Sequence, residues 1–325
     1  MFQKSCKALL LLGLITASLP SHAWNAAGHQ LMSAISWDLM TSKQQDYWVD
    51  ILKHHPRFKQ DFEQNIPKQV KKNPRYLNEW IFRQAARWSD LPRNFQPNLK
   101  EKYHHGSWHY INYPLYLDKK VNTKFLNLNS NFKGKLHNHL NSIQALKGNL
   151  AILSKQGATK RQKAIALCWV LHLVGDSHQP LHSTALFDKR YFPKGDRGGN
   201  LIKIKGQGRV QNLHWYWDSR LDNTTSFRII DLKAKKLGAK YKKQGLKNQA
   251  KTIASWSKKT NKIAIEKVYT KQVLKPHKQA KKHRAKQPTV TINAAYDKNA
   301  REVAEKQIVN AAYQLVYLLS SLSPF

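Results

Sequence analysis

Apolar residues recur at helical spacing over most of the chain, and several of these runs begin with a recognisable cap. Thr41 followed by Gln44 is typical of a capping box, in which each side chain bonds the backbone of the other. The spacing of apolar positions is the main signal for an amphipathic helix. It predicts helices over about 27–39, 41–54, 73–90, 140–154, 254–269 and 299–319.

Two further segments depart from this amphipathic pattern. Residues from Ala164 to Gly175 are apolar on all sides, which indicates a helix buried in the middle of the fold. Two short runs on either side of Gly206-Gln-Gly208 predict a small hairpin over about 201–210. The sequence therefore predicts an all-α, multi-helix fold with a small β-hairpin.

The first 23 residues have the pattern of a signal peptide. Lys4 and Lys7 precede an apolar run, and Ser21-His22-Ala23 supplies small residues at the expected cleavage point. Cleavage would leave Trp24 as the first residue of a single domain, 24–325, in a secreted or periplasmic protein. No later apolar run approaches the roughly 20 residues of a membrane span, so no stable membrane association is expected.

The chain is strongly basic, with a formal net charge of +37 at pH 7. Such an excess attracts polyanions, although a lysine-rich surface can also serve solubility alone. Residues 271–289 are rich in lysine, and we expect them to form an exposed, mobile insertion. No protein partner is predicted.

The buried helix carries the strongest chemical signal. His172 and Asp176 are four residues apart and therefore point from one face. An ionised aspartate in such a helix is costly unless a cation or a dedicated partner compensates it. We interpret this pair as metal ligands. Cys168, one turn earlier, fits better as a buried apolar group, and His178 as a structural residue.

His214 and Asp218 repeat the same spacing on a short aromatic segment, and His182 could complete a site with them. Two histidines and a carboxylate with an open position describe catalytic zinc, although manganese or iron would accept the same ligands. The weaker candidates are Asp90, His109, His29 and the freed amino group and carbonyl of Trp24, each of which is unremarkable alone.

Taken together, these residues resemble the S-one/P-one nuclease family of zinc-dependent, single-strand-specific nucleases and 3′-nucleotidases. The matching positions run in order along the chain: Trp24, Trp88-Ser-Asp90, Trp108-His109, His172 to His182, Asp196-Arg-Gly-Gly-Asn200, and Asn212-Leu-His214 to Trp217-Asp218.

The resemblance implies a mainly helical fold of the phospholipase C and nuclease type that holds three zinc ions. It also implies which residues hold each ion. The three sets would be Asp90, His109, His172 and Asp176; Trp24, His29 and the bridging Asp176; and His182, His214 and Asp218.

The resemblance further implies roles around the substrate, which would be single-stranded RNA or DNA and nucleotides, cleaved to leave 5′-phosphates. Arg93 would bind phosphate and act with Asp176 in catalysis, and Tyr110 would stack on a base. Asn112 departs from the aspartate of the better-known fungal members and cannot act as a general base. The lack of paired cysteines also departs from the disulfide-bonded fungal and plant members, so stability should depend more on zinc.

Two alternatives compete with this interpretation. Zinc-dependent phospholipase C shares the tryptophan ligand and the His-x-x-x-Asp motif, but it has a longer interval before the next histidine and a glutamate where Asp218 stands here. A non-catalytic, secreted polyanion-binding protein would use zinc only for structure. Complete ligand sets with open positions argue against that second alternative.

Overall fold

The computed structural model describes residues 24–206, 209–248 and 252–325. The predicted signal peptide lies outside these residues, as do Gln207 and Gly208 of the predicted hairpin turn. In the described part, the helices are α1 (Ala26–Leu39), α2 (Ser42–Lys53), α3 (Phe58–Asp61), α4 (Lys68–Lys71), α5 (Pro74–Trp88), α6 (Pro97–Tyr103), α7 (Ser142–Ser154), α8 (Lys160–Asp176), α9 (Leu213–Asp218), α10 (Phe227–Asn248), α11 (Ile253–Ile263), α12 (Lys271–Lys282) and α13 (Ala294–Leu322). The predicted all-α fold is confirmed.

Short strands and single-turn 3-10 helices join these helices. The strands are β1 (Tyr113–Tyr116), β2 (Thr184–Phe187), β3 (Lys203–Gly206), β4 (Arg209–Asn212) and β5 (Val290–Thr291). The antiparallel pair of β3 and β4 is the predicted hairpin, β5 joins β3 in parallel, and β1 pairs in parallel with β2. Among the described residues, no helix combines the length and apolar character needed to cross a membrane.

Helix α8 lies at the centre of the larger hydrophobic core. It contacts α1, α2, α5, α7 and α13, and every residue from Ala166 to Asp176 is buried. Its first turn is fixed by a capping box between Thr159 and Gln162, as the predicted box of Thr41 and Gln44 fixes α2. We call this larger core, built on α1, α2, α5, α8, α10 and α13, the helical region.

A second, smaller core lies around β3, β5, α9 and α12. We call it the mixed region. The expected mobile segment at 271–289 falls here, and that expectation is wrong for its first twelve residues, which form α12. Burial of Val273 and His277 against this core holds the helix in place despite its many lysines. Whether the segment is an insertion stays a prediction.

Candidate metal centre

A cleft of about 1000 Å³ opens between the two regions. Histidine rings at its floor belong to His109, His182 and His214. Its walls carry cationic and amide side chains, and no aspartate or glutamate is among the described residues that line it. These polar walls comprise Arg93, Lys194, Arg197, Asn112, Asn127, Asn138, Asn141, Asn200 and Asn212.

Asp176, at the end of α8, is the point where several predicted ligands meet. One carboxylate oxygen, Oδ2, lies 3.0 Å from Nδ1 of His109 and 3.4 Å from Nε2 of His172. His109 ends the 3-10 helix Gly106–His109, and its Nδ1 is 3.0 Å from Nε2 of His172. Asp90 follows α5, with Oδ1 3.9 Å from the same His172 nitrogen. The structure thus brings these four residues together.

The other oxygen of Asp176, Oδ1, faces α1. It lies 3.3 Å from Nε2 of His29, whose ring stacks on His172 with centroids 4.0 Å apart. Gly175 makes this stacking possible, because a Cβ there would lie 2.9 Å from the His29 ring. Trp24 is fully buried beside it, and its indole N–H donates to the Gly175 carbonyl at 3.1 Å.

The third group lies in the mixed region. Nε2 of His182 is 3.0 Å from Nε2 of His214, and that nitrogen is 3.5 Å from Oδ2 of Asp218. His182 ends the 3-10 helix Pro180–His182, whereas His214 and Asp218 lie one turn apart on α9. The side chain of Gln179 donates to the other Asp218 oxygen at 2.6 Å.

Hydrogen bonds to backbone carbonyls fix which nitrogen of three of these rings carries a lone pair. Nδ1 of His172 donates to Ala86 at 2.9 Å, Nδ1 of His182 to His109 at 2.5 Å, and Nδ1 of His214 to Gly198 at 2.6 Å. Metal-binding histidines typically make this second bond. The Nε2 lone pairs of neutral His182 and His214 therefore point at each other, an arrangement that a bound cation would stabilise.

Buried atoms without a hydrogen-bond partner lead to the same conclusion. They include both ring nitrogens of His29, Oδ1 of Asp176 and Oδ2 of Asp218. Unpartnered buried polar atoms are rare in folded proteins and require an explanation such as an ion. Three groups of residues could each hold a metal ion, because the ligand atoms within each group all lie within 4.8 Å of one another. Their members are His29, His172 and Asp176; Asp90, His109 and His172; and His182, His214 and Asp218.

Burial and neighbouring charge act in opposite directions on these groups. Burial alone would raise the pKa of Asp176, but His172 and the hydrogen-bonding histidines hold it well below its usual range. Burial lowers the pKa of His29 to about 4, with a further contribution from His172. It also raises the pKa of Asp218 well above its usual value. A cation would favour ionised Asp218 and neutral His29, the forms that bind metal.

The loop after β2 orients His214 through an irregular backbone. Arg197, Gly198 and Gly199 have positive φ angles of 57°, 60° and 84°. A Cβ on Gly198 would lie 2.4 Å from the Leu181 carbonyl oxygen, so only glycine fits where the His214 bond is made. Buried Asp196 stabilises the loop, accepting from the Leu186 N–H at 2.9 Å and the Tyr269 hydroxyl at 2.8 Å.

The remaining predicted residues divide into cleft and core. Arg93, Tyr110 and Asn112 all line the cleft, with Arg93 3.6 Å from Asp90 and the Tyr110 side chain 42% exposed. Cys168 is buried, and burial raises the pKa of its thiol, which disfavours a thiolate. His178, just after α8, is buried and donates to the Val174 carbonyl of that helix.

Sequence reasoning assigned no role to several residues that line the cleft. Lys194, Arg197 and Phe125 are the clearest cases. The run Asp196-Arg-Gly-Gly-Asn200 did contain a signal, because consecutive glycines after Asp-Arg are typical of a turn with positive φ. Phe125 carries no comparable local signal.

A mainly helical domain with three groups of buried histidines and aspartates, beside an open cationic cleft, defines a metal-dependent hydrolase of anionic substrates. The family described as S1/P1 Nuclease matches residues 24–323, and the chain belongs to this family. The predicted family and the predicted class of enzyme, a nuclease, are thereby confirmed. The family is zinc-dependent, which agrees with the three groups described above.

Relatives with assigned functions point the same way. The chain is 23% identical to Endonuclease 2 of Arabidopsis thaliana over 270 residues, 81% of this chain and 78% of that protein. It is 34% identical to Nuclease S1 of Aspergillus oryzae over 82 residues, 25% and 24% of the two chains. A shorter match to Endonuclease 4 of Arabidopsis thaliana is 41% identical over 56 residues, 17% and 16% of the two chains.

Proposed function

We propose that the protein is a secreted or periplasmic, trinuclear-zinc endonuclease and 3′-nucleotidase. It hydrolyses phosphodiester bonds of single-stranded RNA and DNA and leaves 5′-phosphates. The observation that carries the proposal is the combination of facing histidine lone pairs at the cleft floor with walls that lack carboxylates among the described residues. Such a cleft attracts a polyanion and gives the metal ions access to it.

The proposed ligands follow the three clusters. Asp176 would be a ligand shared by two of the sites, since its Oδ1 faces His29 and its Oδ2 faces His109. The amino nitrogen and carbonyl of Trp24 would complete the site of His29, and the contact of the buried Trp24 indole with Gly175, the residue before Asp176, supports this role. The full set is Trp24, His29, Asp90, His109, His172, Asp176, His182, His214 and Asp218.

Zinc, when bound, would supply Lewis-acid activation of a water and neutralise charge at the phosphorus and the leaving oxygen. Arg93 lines the cleft and would bind a phosphate oxygen as that charge develops. Asn112 would orient the attacking water or the phosphate by hydrogen bonds, since an amide cannot take the proton.

Tyr110 accounts for the preference for unpaired strands. Its exposed ring lines the cleft and offers a face on which a base can stack. Bases within a duplex hide their faces in the stack, so only an unpaired base can use this contact. The absence of acidic side chains from the described walls also gives the cation of a choline head group no counter-charge, which disfavours the phospholipase alternative.

The decisive experiment compares protein beginning at Trp24 with an otherwise identical protein bearing one extra alanine before it. Both are assayed on single-stranded RNA, single-stranded DNA, duplex DNA and a choline phospholipid. We expect hydrolysis of the single strands by the first protein only, lost on chelation and restored by zinc. Hydrolysis of the phospholipid alone would support the lipase. Gel retardation of nucleic acid without hydrolysis would support the polyanion-binding protein.

A further inference from the structure

Helix α12 and the segment after it carry an uninterrupted positive charge. Residues 271–289 contain six lysines and Arg284 but no aspartate or glutamate. Lys271, Lys275, Lys278 and Lys282 are all exposed. Their spacing of four, three and four residues places them on one face of the helix. None of these four makes an ion pair with any residue in the described ranges.

The opposite face of α12 is fixed to the fold. Val273 and His277 are buried in the mixed region. Lys281, the one cation of α12 that turns inward, contacts Asp118 at 2.8 Å and also pairs with buried Asp188. The lysine face is therefore held on a rigid support and is not a freely moving loop.

The segment that follows α12 connects this face to the wall of the cleft. The Tyr191 hydroxyl donates to the Ala285 carbonyl at 3.0 Å, and the Gln287 side chain donates to the Leu201 carbonyl at 2.5 Å. Leu201 lines the cleft, as do Lys194 and Arg197 of the same loop. Positive charge thus continues from the cleft over the rim to α12.

We propose that this surface, defined as the exposed lysines of α12 together with Arg284 and Lys286, binds the polynucleotide strand outside the cleft. The proposal rests on the proposed function and extends it, because it makes long strands better substrates than dinucleotides. The four lysines of α12 extend over roughly 16 Å at 1.5 Å per residue, which suffices for several consecutive phosphates.

A strand is favoured over a membrane as the occupant. Helices that lie on membranes insert a free apolar face beside their basic one. On α12 the apolar face is taken up by the protein core, as the burial of Val273 shows, and the exposed face is lysine. Electrostatic contact with phosphates requires no apolar insertion.

The test compares two triple variants with the same change in charge. The first is Lys275→Gln, Lys278→Gln and Lys282→Gln on α12. The control is Lys242→Gln, Lys243→Gln and Lys247→Gln on α10, where the three lysines are also exposed but none lines the cleft. Each is assayed on a single strand of about 30 nucleotides and on a dinucleotide between about 50 and 200 mM salt. Circular dichroism melts verify that both variants fold.

For the α12 variant we expect the KM on the long strand to rise about tenfold and the slope of log KM against log salt to fall by about 2, at about 0.7 per lost phosphate contact. Hydrolysis of the dinucleotide should stay within about twofold of the wild type, because the α12 lysines lie outside the cleft. Equal changes in the α10 control would show that the effect depends only on the net charge of the protein, and would overturn the proposal. Unchanged kinetics in the α12 variant would overturn it as well.

Binding measured without turnover separates this proposal from the proposed function. If the wild type hydrolyses neither substrate, the proposed function fails, while anisotropy of a labelled strand still compares the two variants. A lower affinity for the strand in the α12 variant alone would support the surface, and equal affinities would overturn it. Lost binding to phosphatidylglycerol vesicles with unchanged strand binding would overturn it in favour of a membrane.

Discussion

The helical region and the mixed region hold their ligand groups by different means. In the helical region, His172 and Asp176 lie one turn apart on α8, and every residue of α8 from Ala166 to Asp176 is buried. In the mixed region, His214 is oriented by a carbonyl of Gly198, in a loop of three consecutive positive φ angles. Packing alone can preserve the first arrangement. The second depends on local backbone strain that other contacts must offset, so the two regions should respond differently to the same perturbation.

The largest expected effect comes from Asp176→Asn. An amide cannot offer two anionic oxygens to two metal sites, so both groups of the helical region lose their shared ligand. We expect a loss of at least about 1000-fold in kcat/KM on single-stranded RNA, or about 4 kcal/mol. Asp222→Asn, a partly exposed acid outside the cleft, serves as the control and should change activity less than about twofold. Activity within tenfold of the wild type would show that Asp176 bridges nothing.

Removal of zinc should lower the stability of the protein and affect the two regions unequally. Ligands that bind only the folded protein stabilise it by about 4 kcal/mol at 1,000 times their Kd, so chelation should lower the Tm by about 8 °C or more. In the zinc-free protein, the backbone amides of residues 196–218 should lose protection against hydrogen exchange before those of residues 160–176 do. An undetectable fall in Tm would contradict the expected dependence of stability on metal, and equal loss of protection would remove the distinction between the regions.

Gly198→Ala probes the strained loop by itself. The new Cβ would meet the Leu181 carbonyl, displace Gly198 and release the N–H of His214. Loss of such a supporting bond typically costs 10- to 100-fold in metal affinity, about 1.4 to 2.7 kcal/mol. Zinc content after dialysis is the measurement. The control is Gly134→Ala, which has a similarly positive φ of 85° but no neighbour within 4 Å, and should keep its full zinc content.

The smallest effect concerns acid sensitivity in the helical region. Burial lowers the pKa of His55 to about 3, so the unfolded chain takes up a proton below pH about 6.5 while the folded chain does not. Stability is therefore lost as pH falls, by roughly 1.4 kcal/mol at pH 5.5. Urea unfolding of the wild type and His55→Gln at pH 7.5 and 5.5 isolates this contribution. The variant should lose less stability between the two pH values, and an equal loss would exclude His55 as the cause.

Prediction from sequence succeeded where structure is local. The capping box of Thr41 and Gln44 lies within the first turn of α2, and the apolar run from Ala164 to Gly175 lies within α8, so each predicts its helix directly. The parallel pair of β1 and β2 joins segments about seventy residues apart, which no local pattern reveals. Helix α12 was missed because Pro276 disfavours a helix interior and the like charges of Lys271 and Lys275, four residues apart, repel each other. Tertiary contacts, such as the burial of Val273, offset these costs.

The same division applies to the candidate site. The pairs His172 with Asp176 and His214 with Asp218 were predictable because four-residue spacing places both side chains on one helix face. His182 was also expected to join His214 and Asp218, since it follows closely after the turn at Pro180. How His109 meets His172 was not predictable from a local pattern, because His109 ends a single-turn 3-10 helix 63 residues earlier in the sequence. The contribution of Gly198 required knowledge of its neighbour, Leu181.

His109 connects the two regions through opposite ends of one residue. Its ring faces Asp176, and its backbone carbonyl accepts a hydrogen bond from the ring Nδ1–H of His182. An ion that immobilises the ring therefore also fixes the backbone on which His182 depends, so the entropic cost of ordering is shared between sites. Loading should consequently be cooperative. When metal is scarce, most molecules would then carry either a full set of metal ions or none, and few would be partly loaded.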